Sequence, residues 1–205
     1  MNLVYTAIYG GYDKVWEPKS KLSGWDYKLY TDDPNLKSNI WEVIYYPLLH
    51  LDRAKASKFI KIEHSMQNYD NILWIDGCVE IKGNLNEFLS KLPKGDIVVG
   101  KHPINHTLEA ELKACINMKK DDIELMKSQV KSYGKLKPHE TPQNTIILRR
   151  KDIDATVIWW TEVKNKSKRD QLSFAWAMQQ CDQKYSTYPW SLAEKYFIWH
   201  KYHNK

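Results

Sequence analysis

A carboxylate that closes an apolar run must be met by a cation or by donors, because burying it alone is costly. Ile72-Leu73-Trp74-Ile75-Asp76-Gly77-Cys78 has this form: four apolar residues enter a core and Asp76 emerges beside a glycine. Two chemistries fit. Asp76 either holds a divalent metal that grips a diphosphate, since hard oxygen ligands suit Mg²⁺ and Mn²⁺, or it caps its own turn. A second group lies on the helix expected after Asp52. Lys55 and Lys58 recur at helical spacing, as do Arg53, Ser57 and Lys61, so cationic stripes face either a phosphate or solvent. Tyr9-Gly10-Gly11-Tyr12-Asp13 lets a backbone approach a ligand closely. It is not GxGxxG, and no P-loop, GxSxG or HExxH occurs. In Arg169-Asp170-Gln171, Asp170 either assists a reaction or closes a capping box with Ser167. His200 and His203, three apart near the end of the chain, either share a metal or belong to a solvated tail.

The elements that must position these groups alternate. Short apolar runs bounded by turn residues read as buried strands at residues 3–9, 27–31, 41–46, 71–76, 97–100 and 145–149. Helices are expected from Asp52 to about His64, from Thr107 through Cys115, and after Asp121, where Ile123, Met126, Val130 and Tyr133 share a face. Another follows the Ser167–Asp170 box. Strands alternating with helices predict an α/β fold with a mostly parallel central sheet and helices on both faces. Ligands of such sheets bind beyond the carboxyl ends of strands. That rule singles out Gly10-Gly11, Thr31 to Asp33, Asp76 to Cys78 and the residues after Gly100.

Composition sets the bounds. The 205 residues carry 31 Lys+Arg against 25 Asp+Glu, a net charge of +6, spread along the chain without long like-charge runs. Length favours one domain over residues 1–205. The positive balance admits an anionic partner without choosing it. Nine Trp and 13 Tyr among few Phe suit sugar or base stacking as well as a core. Three scattered cysteines without CxxC exclude a zinc ribbon and argue against a disulfide scaffold. No segment reaches the ~20 apolar residues of a bilayer span, and the first residues lack a signal-peptide pattern. A soluble, cytoplasmic protein is expected.

The motifs, in order from residue 4 to about 178, resemble the small glycosyltransferase-like family that includes plant mucilage and pectin-related proteins. They include YTAIYGGYD ending at Asp13, Tyr30-Thr31-Asp32, Arg53 to Lys58, the strand to Asp76-Gly77, His102-Pro103, Arg149-Arg150, Trp159-Trp160 and Arg169-Asp170-Gln171. There is a weaker likeness to capsid glycosyltransferase domains of large algal viruses. The resemblance implies a GT-A, Rossmann-like fold and sugar transfer from a nucleoside diphosphate sugar, a UDP-sugar foremost, to a hydroxyl of a glycan or glycoprotein. It implies a nucleotide near Ala7, Tyr9, Gly10 and Asp32, with Arg53, Lys55, Lys58, Asp76 and Gly77 along it. It implies an acceptor over the carboxyl-terminal half, touching His102, Arg169 and Gln171. Asp170 is the expected base, with Glu109 or Glu111 behind it. Mn²⁺ or Mg²⁺ is expected on Asp76, completed by His203 or His200, because the usual Asp-x-Asp reads Asp76-Gly77-Cys78. Asn105 also departs, standing where the family tends to carry arginine. Two other classes stay in view: a nucleic-acid binding module, which the scattered charges and missing motifs disfavour, and a catalytically idle sugar-binding protein of the same fold.

Overall fold

The computed structural model describes residues 1–65, 68–137 and 141–200. The chain runs β1 (Asn2–Ile8), β2 (Trp25–Thr31), β3 (Glu42–Tyr45), α1 (Arg53–Glu63), β4 (Asn71–Ile75), β5 (Val79–Ile81), α2 (Leu85–Lys91) and β6 (Ile97–Lys101). It continues α3 (Leu108–Asn117), α4 (Ile123–Ser132), β7 (Pro142–Arg149), α5 (Ala155–Asn165), α6 (Asp170–Gln180), β8 (Ser186–Tyr188), α7 (Trp190–Ala193) and β9 (Phe197–Trp199). A seven-stranded sheet has the order β3-β2-β1-β4-β7-β6-β8, and β5 pairs with β9 in a small second sheet. The β1–β2, β2–β3, β1–β4 and β6–β8 pairs are parallel. Only β7 is reversed, antiparallel to both β4 and β6. The carboxyl ends of β1, β2, β4 and β6 therefore share one edge with the start of β7, and the Asp76 N–H donates to the Thr145 carbonyl there at 2.8 Å.

Alternation along the strands splits the core. Ile72 and Trp74 face α1, α5 and α6, packing with Ala56, Ile60, Trp159, Val163, Phe174 and Met178. Leu73 and Ile75 face α2, α7 and the small sheet, packing with Phe88, Ala193, Val79 and Phe197. The α/β architecture, mostly parallel with both faces covered, is the expected one. Leu108, Cys115, Met126, Tyr133 and Leu172 form a satellite cluster under α3, α4 and α6.

The caps explain where helices start. Asp52 accepts from the Lys55 N–H, and Thr107 from the Ala110 N–H. Two expectations are corrected. Asp122, not Asp121, caps α4, because Asp121 instead takes the Ser167 hydroxyl at 2.8 Å and the Lys168 N–H at 2.9 Å. The Ser167 box does not form: its hydroxyl accepts from the Arg169 N–H at 3.1 Å, and α6 begins at Asp170 itself. Among the described residues no helix is long and apolar enough to cross a membrane.

Candidate active site

Helix α1 brings two lysines to the sheet's carboxyl edge, where they meet two aspartates. Lys61 Nζ lies 2.8 Å from Asp76 Oδ1 and 3.1 Å from Asp170 Oδ2, and donates to the Asn144 carbonyl at 2.7 Å. Lys58 Nζ lies 3.1 Å from Asp170 Oδ1 and 3.9 Å from Asp76 Oδ1. The Trp74 indole N–H also donates to Asp76 Oδ1 at 2.8 Å. Asp170 is buried, and the Lys61 side chain is fully so. Burial alone would raise the Asp170 carboxyl, but Lys58, Lys61 and Arg169 outweigh it and hold it well below the usual carboxylate range. Burial pushes the Lys58 ammonium down against the pull of Asp170 and Asp76. For Lys61 the same aspartates overcome burial and raise it. A buried ion cluster adds little net stability compared with apolar packing, and shifted groups gathered at a strand edge make this the candidate site.

The adjoining loop is built on Gly10, whose N–H donates to Asp32 Oδ1 at 2.7 Å while its carbonyl accepts from Arg53 Nη1 at 3.3 Å. Gly77 closes the gap to β4: a Cβ there would stand 2.9 Å from Asp13 Oδ2 and 3.2 Å from the Ala7 carbonyl. Ala7, Gly10, Asp32, Arg53, Lys58, Asp76 and Gly77 thus come together. Two expected nucleotide residues are engaged elsewhere. Lys55 donates to the Lys164 carbonyl at the end of α5 at 2.8 Å, and the Tyr9 hydroxyl donates to the Tyr46 carbonyl at 2.8 Å. Lys61 and Asp13 also belong to the edge, though the sequence offered Lys61 only as part of a cationic stripe and Asp13 only as the end of the glycine motif, neither with a role of its own. The signal for Lys61 was its spacing of three from Lys58 on the helix that precedes the Asp76 strand.

Of the three expected acceptor residues, His102 and Arg169 meet at Glu111, and Gln171 joins them through Arg169. Arg169 Nη2 donates to Gln171 Oε1 at 2.8 Å and lies 3.7 Å from Glu111 Oε1. His102 Nδ1 accepts the Ile104 and Asn105 N–H groups, so Nε2 carries the proton, 3.5 Å from Glu111 Oε2. Asn105 Nδ2 donates to Glu111 Oε2 at 2.7 Å, which places the residue that departs from the family pattern inside this cluster. Burial holds the His102 imidazole below its ordinary value. Glu111 is buried, whereas Glu109 is exposed and lines a cleft of about 460 Å³ with His106, Lys131 and Lys135.

Among the described residues, the side chains expected to complete a metal site with Asp76 are poorly suited to it. Burial pushes the Cys78 thiol up to about 12, so it stays protonated at neutral pH, and a thiol is a poor partner for hard cations. The His200 ring stacks on Trp16 at 3.4 Å and shares a 2.8 Å contact with Glu80 Oε2. No group of three His, Cys, Asp or Glu side chains among the described residues comes together as metal ligands. His203 lies outside the described residues.

Residues 28–192 match the family described as TOD1/MUCI70, glycosyltransferase-like domain. No protein of curated function matches the chain in sequence. Among solved structures, the apo bifunctional glycosyltransferase WbbM aligns over 91% of this chain and 38% of its own, at 12% identity and a TM-score of 0.46. The galactosyltransferase LgtC, solved with donor and acceptor sugar analogs, aligns over 86% of this chain and 70% of its own, at 13% identity and a TM-score of 0.40. GlyE of Streptococcus pneumoniae TIGR4 aligns over 91% of this chain and 44% of its own, at 12% identity and a TM-score of 0.41. The chain thus spans less than half the length of WbbM and GlyE.

Proposed function

The chain belongs to the TOD1/MUCI70 glycosyltransferase-like family, and from that premise we propose that it moves a sugar from a nucleoside diphosphate sugar, a UDP-sugar foremost, to a hydroxyl of a glycan or glycoprotein. The observation that carries this reading is the Asp76-Gly77 turn, packed on the end of β1 and beside the Lys58–Lys61–Asp170 cluster. In this reading the nucleotide lies over the Gly10 loop, where Asp32 and Arg53 fix the backbone. Its phosphates reach the basic edge of α1, where Lys58 is held in place by the buried Asp170 carboxylate. The acceptor lies toward His102, Arg169 and Gln171. Asp170 holds both lysines in place: each carboxylate oxygen already faces an ammonium, and a carboxylate kept so firmly ionised is a weak base. Of the other carboxylates expected as base, Glu111 is buried and Glu109 is exposed on α3.

The test incubates the chain with a panel of UDP-, GDP-, CDP- and ADP-sugars and follows release of the free diphosphate. Slow consumption of one donor without acceptor, accelerated by a glycan, is expected. Tight diphosphate binding without any turnover would instead favour the idle sugar-binding reading. No binding and no turnover with any donor would reject both.

A further inference from the structure

Lys61 is held like a built-in cation. Its three ammonium protons are matched by three acceptors, the Asn144 carbonyl at 2.7 Å, Asp76 Oδ1 at 2.8 Å and Asp170 Oδ2 at 3.1 Å. It is fully buried, and its acceptors come from three elements other than its own helix, the end of β4, β7 and α6, so it has no room to swing away. A divalent cation on Asp76 would have to share the carboxylate with this fixed ammonium, at a separation where like charges repel strongly in a dry site. Lys58 differs from Lys61. Its side chain keeps 16% exposure, and its main partner, Asp170, retains Lys61 if Lys58 turns away. Lys58 can therefore swing to an incoming anion without stripping Asp170 of its counter-charge.

We propose that lysine ammonium groups take the place of the divalent metal at this edge: Lys61 neutralises Asp76 permanently, and Lys58 meets the phosphate oxygens of the bound nucleoside diphosphate. The inference rests on the donor-site reading above and deepens it. Lys58 is then a binding residue and Lys61 a positioning residue. The metal expected from the resemblance is not needed for donor binding, and the Cys78 position that breaks Asp-x-Asp carries no ligand duty.

The test measures the affinity of the full chain for UDP, GDP, CDP and ADP by titration calorimetry, once in EDTA and once in Mn²⁺. The dissociation constant of the diphosphate that binds most tightly should agree within threefold between the two buffers. Lys58→Met should weaken it tenfold or more in EDTA, and Lys58→Arg should restore most of the loss. Tenfold or greater tightening by Mn²⁺ in the wild type overturns the proposal. So does unchanged affinity in a folded Lys58→Met chain. Should Lys58→Met fail to fold, the two-buffer comparison on the wild type still decides. Absence of binding by every diphosphate in both buffers overturns the donor-site reading itself, and this inference with it.

Discussion

Gly10 and Gly11 share one backbone conformation, with φ of +62° and +61°, yet a side chain would meet different surroundings at each. A Cβ on Gly10 would stand 2.1 Å from Arg53 Cδ, whereas one on Gly11 meets nothing within 4 Å. Both Gly→Ala changes therefore carry the same left-handed strain, about 1–2 kcal/mol. Only Gly10→Ala also pushes the guanidinium off the loop carbonyl. The expected outcome is a similar drop in melting temperature for the two variants, with diphosphate affinity reduced several-fold in Gly10→Ala alone. Equal affinities would remove Arg53 from the donor site. At this scale the sequence was informative where one residue type answers one physical demand. Asp76 at the end of an apolar run and glycines after the first strand are such cases. It was silent on which lysine of a stripe turns inward, because Lys55, Lys58 and Lys61 differ only in angle around one helix, and their partners Lys164, Asp170 and Asp76 are distant in the chain.

Helix α1 carries most of the site, and both of its ends are tied down. Asp52 caps its start, and Lys55 reaches the last turn of α5. At its end, Arg149 donates to the Ile62 and His64 carbonyls at 3.2 and 2.6 Å. Lys55→Ala should lower stability slightly and leave diphosphate affinity within twofold of wild type, in contrast to Lys58→Met; a large loss of affinity would return Lys55 to the donor site. His64, just past the helix, gives a pH signature. Its Nδ1 donates to the Ser65 carbonyl and its Nε2 accepts from the Tyr30 hydroxyl, each at 2.8 Å, which fixes the neutral ring. Burial, with the nearby Arg149 charge, lowers its value to about 4 although the Ser65 contact opposes the shift. The unfolded chain binds this proton near pH 6.5 and the folded chain does not until about pH 4. Stability contributed by His64 is therefore complete above pH 6.5 and lost as pH falls toward 4, on the order of 2 kcal/mol for a partly buried ring. Denaturant titrations across that range should show the loss, and His64→Gln should flatten it. Helices α1, α3 and α4 were legible from residues that can cap them, whereas α2 was missed although the Asn84 side chain caps it, and so was α5. Its Asp154 makes no side-chain cap, and Val157-Ile158-Trp159-Trp160 offers a β-branched and aromatic run without helical period. The strands β5, β8 and β9, each of three residues, are too short to show alternation.

The alternation of strands and helices made the α/β class and the sheet edge that holds the candidate site readable from sequence, but not the reversal of β7. Nothing in TIILR states direction, since a strand buried on both faces is apolar whichever way it runs. Yet the reversal brings Asn144 and Thr145 to the edge, where the Asn144 carbonyl receives Lys61. The same sheet decides how the molecule unfolds. Both principal core clusters are built on opposite sides of β1, β4, β6 and β7, so neither can lose its packing without exposing the strands that support the other. The satellite under α3 and α4 is joined to the rest through Leu172 and through the Tyr133 hydroxyl, which donates to Glu162 Oε2 on α5 at 2.6 Å. Tryptophans report on both faces: Trp74 and Trp159 on one, Trp25 and Trp41 on the other. A single domain should therefore give one transition, with tryptophan fluorescence and far-UV circular dichroism coinciding along a urea titration. A diphosphate held at ~100 times its dissociation constant should move both curves together by about 2.7 kcal/mol, because the site draws on α1, β1, β4 and α6 at once. Two separated transitions, with the ligand shifting only one, would divide the chain into units and place the donor site within one of them.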